Sequence, residues 1–553
     1  MKKIKYTILR NIAGLLMLAT LATSCDSFLG EDPHSVKTDE WTSQADAEVS
    51  VNQLYDSGLP ALYGNRNNGW HPTRLMYGGL MSGLFIDDRK DGDFSANTEM
   101  LNITFQTVAS DVNNLYRMPY EAINRANLVI QRLPGLVDNQ IVSENKKNEL
   151  IGQAYFFRAL SYFFLVKEFG CKDGEAEDGA NGGVPLVLEV YPTADPVTIE
   201  KPRAPIADVY KQIEADLLEA IKVLPNKTFY NNGSRITKPA AQALLASVYL
   251  QWAGYPVQNT AMYAEAAKMA EAVINGGSGH TLETSADVEL RSAFNVIKTD
   301  KDNKETIYAV EYNEPLQKGN PYINACLAGA ATNWVKSDGS KVFSTSVLNN
   351  MYHVSNPIVE SYKAGDVRGM EKNFFFQTYV SNEGIEYENN QYSNWFWFDD
   401  EAMINSKGSS LDFPVLRMSE VYLIAAEAFL KQAASNQAKA KEYLEVVRKR
   451  AFTVNGTLAD SYSVPATITI DDVLTERLQE FPLEFKVWDD IRRNRLYPQA
   501  QADKTLKWVD IATAKPYNKK DGKTFSNNMH MLVWPIPQAA IERNGQLKQN
   551  PGY

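Results

Sequence analysis

ENKKNELIGQAYFFRALSYFFLVKEF, residues 144–169, is the stretch that decides the fold. Leu150, Ala154, Phe157, Leu160, Phe164 and Leu165 recur mostly three or four residues apart, as one buried helix face requires, and Gly170 follows as a natural stop. The pattern repeats on both sides. Upstream, Leu115, Tyr116, Ile123, Ala126, Val129, Ile130 and Leu133 predict a helix over 112–133, with Pro134-Gly135 ending it. Downstream, Val209, Ile213, Leu217, Ala220 and Leu224 predict a third helix between Pro205 and Pro225. Thr237 and Pro239 then open an alanine-rich helix, Ala240–Trp252, and Tyr263–Ile274 follows it.

Helix pairs with small residues at contact positions predict a mainly α, tetratricopeptide-like scaffold, each pair burying its face against its neighbours. The strict repeat consensus is absent, which leaves an ordinary helical bundle as the alternative. Between about 276 and 410 the character changes: Gly276–Gly279, Asp300–Lys304 and Ser337–Ser340 punctuate short segments such as Glu305–Val310, whose composition suits strands. Helices return at 415–431, 436–451 and 471–480. The reading is therefore one domain over 25–553, with a helical scaffold at about 112–275 and 415–500 carrying a loop-rich insertion with short strands. A long aromatic-rich insertion of this kind reads as functional rather than disordered.

At the start, Lys2, Lys3, Lys5 and Arg10 precede the apolar run Ile12–Leu21, a secretory signal too short to remain as a membrane span. Leu21-Ala22-Thr23-Ser24-Cys25 then predicts lipoprotein processing, with residues 1–24 removed and Cys25 lipidated. The net charge is −11 for the whole chain, and loss of those four cations makes the mature chain more acidic still, which argues against nucleic acid as a partner. Cys171 and Cys326 can form at most one disulfide, so cysteine is not the scaffold.

Several segments, in their order along the chain, resemble the SusD/RagB family. They are Cys25–Leu29 with Pro33; Arg158-Ala159, Tyr162, Leu165 and Phe169-Gly170; Gly183–Leu186; Asp216-Leu217 with Ala220; and Ala240-Ala241. Further on come Leu416–Leu423 with Ala426–Ala428; Glu476-Arg477, Glu480-Phe481 and Glu484; and Trp534–Pro537, Asn544 and Gln549–Tyr553. One departure is Lys486, where the family usually has arginine, which puts one local salt bridge in question. The resemblance implies a cell-surface outer-membrane lipoprotein that binds glycan without turnover and serves a SusC-like TonB-dependent transporter. The RagB branch implies peptide capture as the alternative.

The residues themselves show no Gly-x-Ser-x-Gly, phosphate-loop or His-Glu-x-x-His pattern, and the five histidines lack ligand spacing. No catalytic or metal site is predicted, and no cofactor. Calcium at Asp173–Asp178 is the weaker reading beside a solvated acidic turn. Glu476, Arg477, Glu480 and Glu484 sit on adjoining helical turns and read as structural. A glycoside hydrolase needs only two apposed carboxylates, so spacing alone does not exclude one. Sugar rings have apolar faces that stack on aromatic side chains while fixed polar groups take the hydroxyls. On that ground the candidate ligand contacts are Trp70 and Arg74 in a polar loop, and Trp334, Tyr392, Trp395 and Trp397 in the insertion. If 392–399 is extended, alternation places Trp395 and Trp397 on one side and Tyr392 on the other.

Overall fold

The computed structural model describes residues 41–56, 75–87, 106–190, 200–313, 315, 319–344, 352–405, 408–518 and 524–553. Its longer helices are α1 (Gln44–Asn52), α2 (Ser110–Asp138), α3 (Glu144–Phe169), α4 (Ile206–Val223), α5 (Lys238–Ala253) and α6 (Met262–Ile274), followed by α7 (Ala293–Thr299), α8 (Met418–Lys431), α9 (Gln437–Ala451), α10 (Ile470–Glu480) and α11 (Val487–Asn494). Helices α2 to α6 pack in succession, each on the next, as a tetratricopeptide-like stack does. Among the described residues no helix is long and apolar enough to cross a membrane.

Local chemistry sets the boundaries. Ser143 caps α3 by accepting from the Lys146 amide at 3.2 Å, and Thr469 with Asp472 forms a reciprocal capping box at α10. At Gly152 an added Cβ would lie 2.8 Å from Val223 and 2.9 Å from Leu224, so the absent side chain lets α3 and α4 approach closely. Arg158 ties three helices together: Nε and Nη2 donate to Asp216 at 2.8 and 2.6 Å, and Nη1 donates to Asn127 at 2.9 Å. Pro134-Gly135 does not stop α2, which continues to Asp138. Both residues face solvent, where water can satisfy the backbone carbonyl left bare by proline, while Leu133 and Leu136 stay in the core and hold the last turn.

Among the described residues the strands form five antiparallel pairs. They are β1 (Phe85–Asp87), β2 (Thr306–Val310), β3 (Tyr352–Val354), β4 (Phe375–Val380), β5 (Glu386–Asn394), β6 (Phe413–Arg417), β7 (Thr453–Val454), β8 (Thr457–Leu458), β9 (Leu496–Ala500) and β10 (Leu506–Asp510), paired β1 with β3, β2 with β6, β4 with β5, β7 with β8 and β9 with β10. Helix α8 packs against α6 although the whole irregular region separates them in sequence. The β2–β6 pair runs from Thr306 opposite Arg417 to Val310 opposite Phe413, so residues 311–412 leave and rejoin the scaffold side by side. One continuous hydrophobic core joins this region to the helices.

Beneath α8 to α11 lies a buried lattice of ions. Arg417 donates through Nη1 to Glu305 at 2.7 Å and Glu480 at 3.0 Å, and through Nη2 to Glu484 at 2.6 Å. Arg368 reaches Glu476 at 2.7 Å, Arg450 reaches Glu305 at 2.8 Å and also pairs with Glu480, and Arg448 reaches Glu476 at 2.6 Å. Lys486, the departure from the family pattern, pairs with Glu420 and stands 3.5 Å from Glu484, so the lysine supplies an ion pair of its own. Burial alone would raise the Glu480 carboxyl, but Arg450, Arg417 and Arg368 outweigh it and hold the group down to about 2.

Candidate functional site

The irregular region gathers its aromatic side chains on the β4–β5 hairpin and the turn before it. A 3-10 turn over Gly329–Asn333 ends at Trp334, whose carbonyl accepts from the Val342 amide at 3.1 Å. The half-buried Trp334 ring stacks on Tyr387 of β5 at 5.4 Å between centroids and 27° between planes, and on Tyr379 of β4 at 6.2 Å and 13°. Tyr379 and Tyr387 are direct cross-strand partners, so the hairpin register sets the spacing of both rings. Their hydroxyls fix them: Tyr387 donates to the Val335 carbonyl and Tyr379 to Asp400, each at 2.7 Å. Val335 and Val380, 45% and 53% exposed, flank the group, while Glu383 accepts from Ser337 and Lys341 donates to the Thr332 carbonyl. The result is a rigid, partly open aromatic surface with apolar edges and polar groups around it.

Trp395 belongs to the same cluster, joined through Phe398 and Tyr379, with centroid spacings of 5.0 and 5.9 Å. Its indole is already engaged. Phe398 stacks on it, its Nε1 donates to Asn295 at 3.0 Å, and the Lys298 ammonium lies 4.6 Å from the ring centroid. Burial lowers Lys298 to about 8, and its Nζ donates to the Trp395 carbonyl at 2.9 Å. Half-buried Tyr392 lies apart, its ring edge-on to Phe375 at 6.5 Å.

Trp397 corrects an expectation. It is 2% exposed and packs against Tyr322 and Phe485 at 4.8 and 5.1 Å, so its ring is core and not ligand surface. The alternation argument fails because β5 ends at Asn394 and the chain turns at Phe396-Trp397. Trp70, Arg74 and Cys25 lie outside the described residues. Sequence reasoning missed Tyr379, Tyr387 and Lys298. The two tyrosines carried a readable signal, standing symmetrically about the Asn382-Glu383-Gly384 turn, whereas nothing local marks Lys298.

Other sequence candidates have structural work. Asp173 accepts from the Gly182 and Ile206 amides at 2.7 and 3.0 Å, and Asp178 pairs with Lys548 at 2.7 Å, so these two of the four carboxylates of that acidic turn are engaged by the protein. Among the described residues no three His, Cys, Asp or Glu side chains group as a metal site. Cys171 and Cys326 are buried free thiols. The C-terminal segment locks onto the end of α3: Asn550 donates to the Phe169 and Trp534 carbonyls at 2.9 and 2.6 Å and accepts from Arg203 at 2.8 Å.

Fold and surface together define a helical-hairpin scaffold protein that displays aromatic rings from an insertion. The chain belongs to the SusD family: residues 225–553 match that family, and residues 36–250 match one described as "Starch-binding associating with outer membrane". It is 25% identical, over the whole of both chains, to SusD-like protein P2 of Formosa agariphila. A SusD superfamily structure from Parabacteroides distasonis superposes with a TM-score of 0.73 at 24% identity, covering 93% of this chain and all of that one. Surface glycan-binding protein A of Bacteroides uniformis superposes at 0.68 and 19% identity, covering 92% of this chain and all of that one. These two likenesses establish the fold.

Proposed function

We propose that this chain is a cell-surface lipoprotein, anchored in the outer membrane through acylated Cys25, that captures polysaccharide or oligosaccharide for a SusC-like TonB-dependent transporter. The observation that carries the reading is the half-buried Trp334 stacked on Tyr387, with exposed valines and polar groups beside it. Sugar rings gain from stacking on such a surface because their C–H faces are apolar while their rims need hydrogen bonds. The descriptions of the matching families and the name of the Bacteroides uniformis neighbour support glycan as the ligand and the outer membrane as the location.

Capture without turnover is part of the proposal. Glu480 is held ionised by its arginines at about 2, so it has no proton to give a leaving group near neutral pH. Calorimetry against a panel of polysaccharides should show binding that Trp334→Ala weakens by roughly 1–2 kcal/mol, the size of one lost ring contact. Binding of oligopeptides with no response to any glycan would replace this reading by peptide capture. New reducing ends after incubation, abolished by a single Asp or Glu substitution, would replace it by hydrolysis.

A further inference from the structure

A second cavity, sharing none of its lining with the Trp334 cluster, opens beside α10 and has a volume of about 410 Å³. That volume falls within the range of small-molecule sites. Its floor is the buried ion lattice. Arg448 and Arg368 reach it from below, and Arg368 is saturated by Asp366, Glu476 and Glu480. Arg448 is different: Nε donates to Glu476 at 2.6 Å and Nη2 to the Asp472 carbonyl at 3.5 Å, while Nη1 has no partner among the described residues. On the wall, Gln479 donates to the Ser361 carbonyl at 3.2 Å, leaving its own Oε1 as an acceptor.

The remaining wall charges are Lys363 against Asp471 and Asp472, which with Arg448 cancel to zero. A strong net field for an anion or a cation is therefore missing. The lining also includes the apolar side chains of Phe452, Val464 and Leu506. Half-buried Tyr392 stands near enough to Glu360 and Lys504 to feel both charges, and those two ion-pair at 3.4 Å beside rim residues Ser361 and Thr505. Fixed donors and acceptors together with apolar side chains in one lining, with no net charge, match a neutral ligand that has hydroxyls on its rim and C–H groups on its face.

We propose that this cavity is a separate binding site for a neutral mono- or disaccharide, with Arg448 Nη1 and Gln479 Oε1 taking its hydroxyls and Val464 and Leu506 meeting its apolar face. It goes beyond the Trp334 surface, and neither site needs the other.

The test uses the full chain with saturation-transfer NMR and calorimetry against neutral mono- and disaccharides, and glucuronic acid as the charged control. At least one neutral sugar should bind, and Val464→Trp, which puts an indole into the cavity, should weaken it by about tenfold or more with an unchanged melting temperature. Trp334→Ala should leave that small-sugar binding unaltered. If Val464→Trp disturbs folding, Thr505→Trp at the exposed rim serves in its place. The proposal is overturned if no neutral sugar binds, if glucuronic acid is preferred, if the cavity variants have no effect, or if Trp334→Ala abolishes the signal. Loss of polysaccharide binding in Trp334→Ala alone bears on the first surface, and loss of small-sugar binding in Val464→Trp alone bears on the cavity.

Discussion

Replacing Arg417 by methionine keeps most of the side-chain volume and removes the charge that Glu305, Glu480 and Glu484 share. Glu480 keeps Arg450 and Arg368, and Glu305 keeps Arg450, but among the described residues Glu484 is left with only Lys486 at 3.5 Å as an ion-pair partner. Breaking a fully buried pair costs about 3–5 kcal/mol, because the stranded carboxylate has lost its water without its partner. For a cooperative unit of about 500 residues the unfolding entropy is about 1 kcal/mol per degree, so the melting temperature should drop by about 3–5 °C near neutral pH. In the variant the stranded carboxylate can relieve its cost by taking up a proton. The gap between variant and wild type should therefore narrow as pH falls below about 5. Scanning calorimetry at both pH values measures it. A drop under about 1 °C near neutral pH, or a gap independent of pH, would refute the claim that these ions act as a buried, mutually compensating set.

Glu480 and Glu427 are both held at about 2 against 4.5 for a free carboxyl, so their contribution is complete above about 4.5 and disappears as pH falls toward 2. Thermal melts by circular dichroism should fall through that window. Asn550→Ala removes hydrogen bonds to Phe169, Trp534 and Arg203 and should cost about 1–3 kcal/mol in urea unfolding; a midpoint equal to wild type would contradict the locking role. The thiols of Cys171 and Cys326, buried and with burial pushing both upward, should resist a thiol reagent in the native protein and react after denaturation.

The scaffold was legible because its helices carry apolar residues at helical spacing: α3 was anticipated over 144–169 and spans those residues, although from Phe156 to Val166 it is buried all round and not on one face alone. The family-like segments were legible too, and the structure gives many of them structural work. Arg158 with Asp216 clamps α3 to α4, Arg417 and Glu480 build the ion lattice, and Asn550 fastens the chain's end. The candidate ligand face was harder to read. Trp334, Trp395 and Trp397 are chemically alike in sequence, yet a turn at 396–397 sends one ring into the core, and Lys298 reaches Trp395 from nearly a hundred residues away. Long-range placement of this sort leaves no periodic trace.

The β2–β6 pair has a consequence for how such a protein changes. Residues 311–412 depart and return at adjacent points of one short ladder, yet Arg368 is bound into the ion lattice at Glu476 and Glu480 and Trp397 packs on Phe485, so an exchanged segment must bring these anchors with it to leave the helices in place. Grafting a relative's segment between Val310 and Phe413 should transplant the recognition of that relative onto this frame, so preference can diversify while the chassis stays constant.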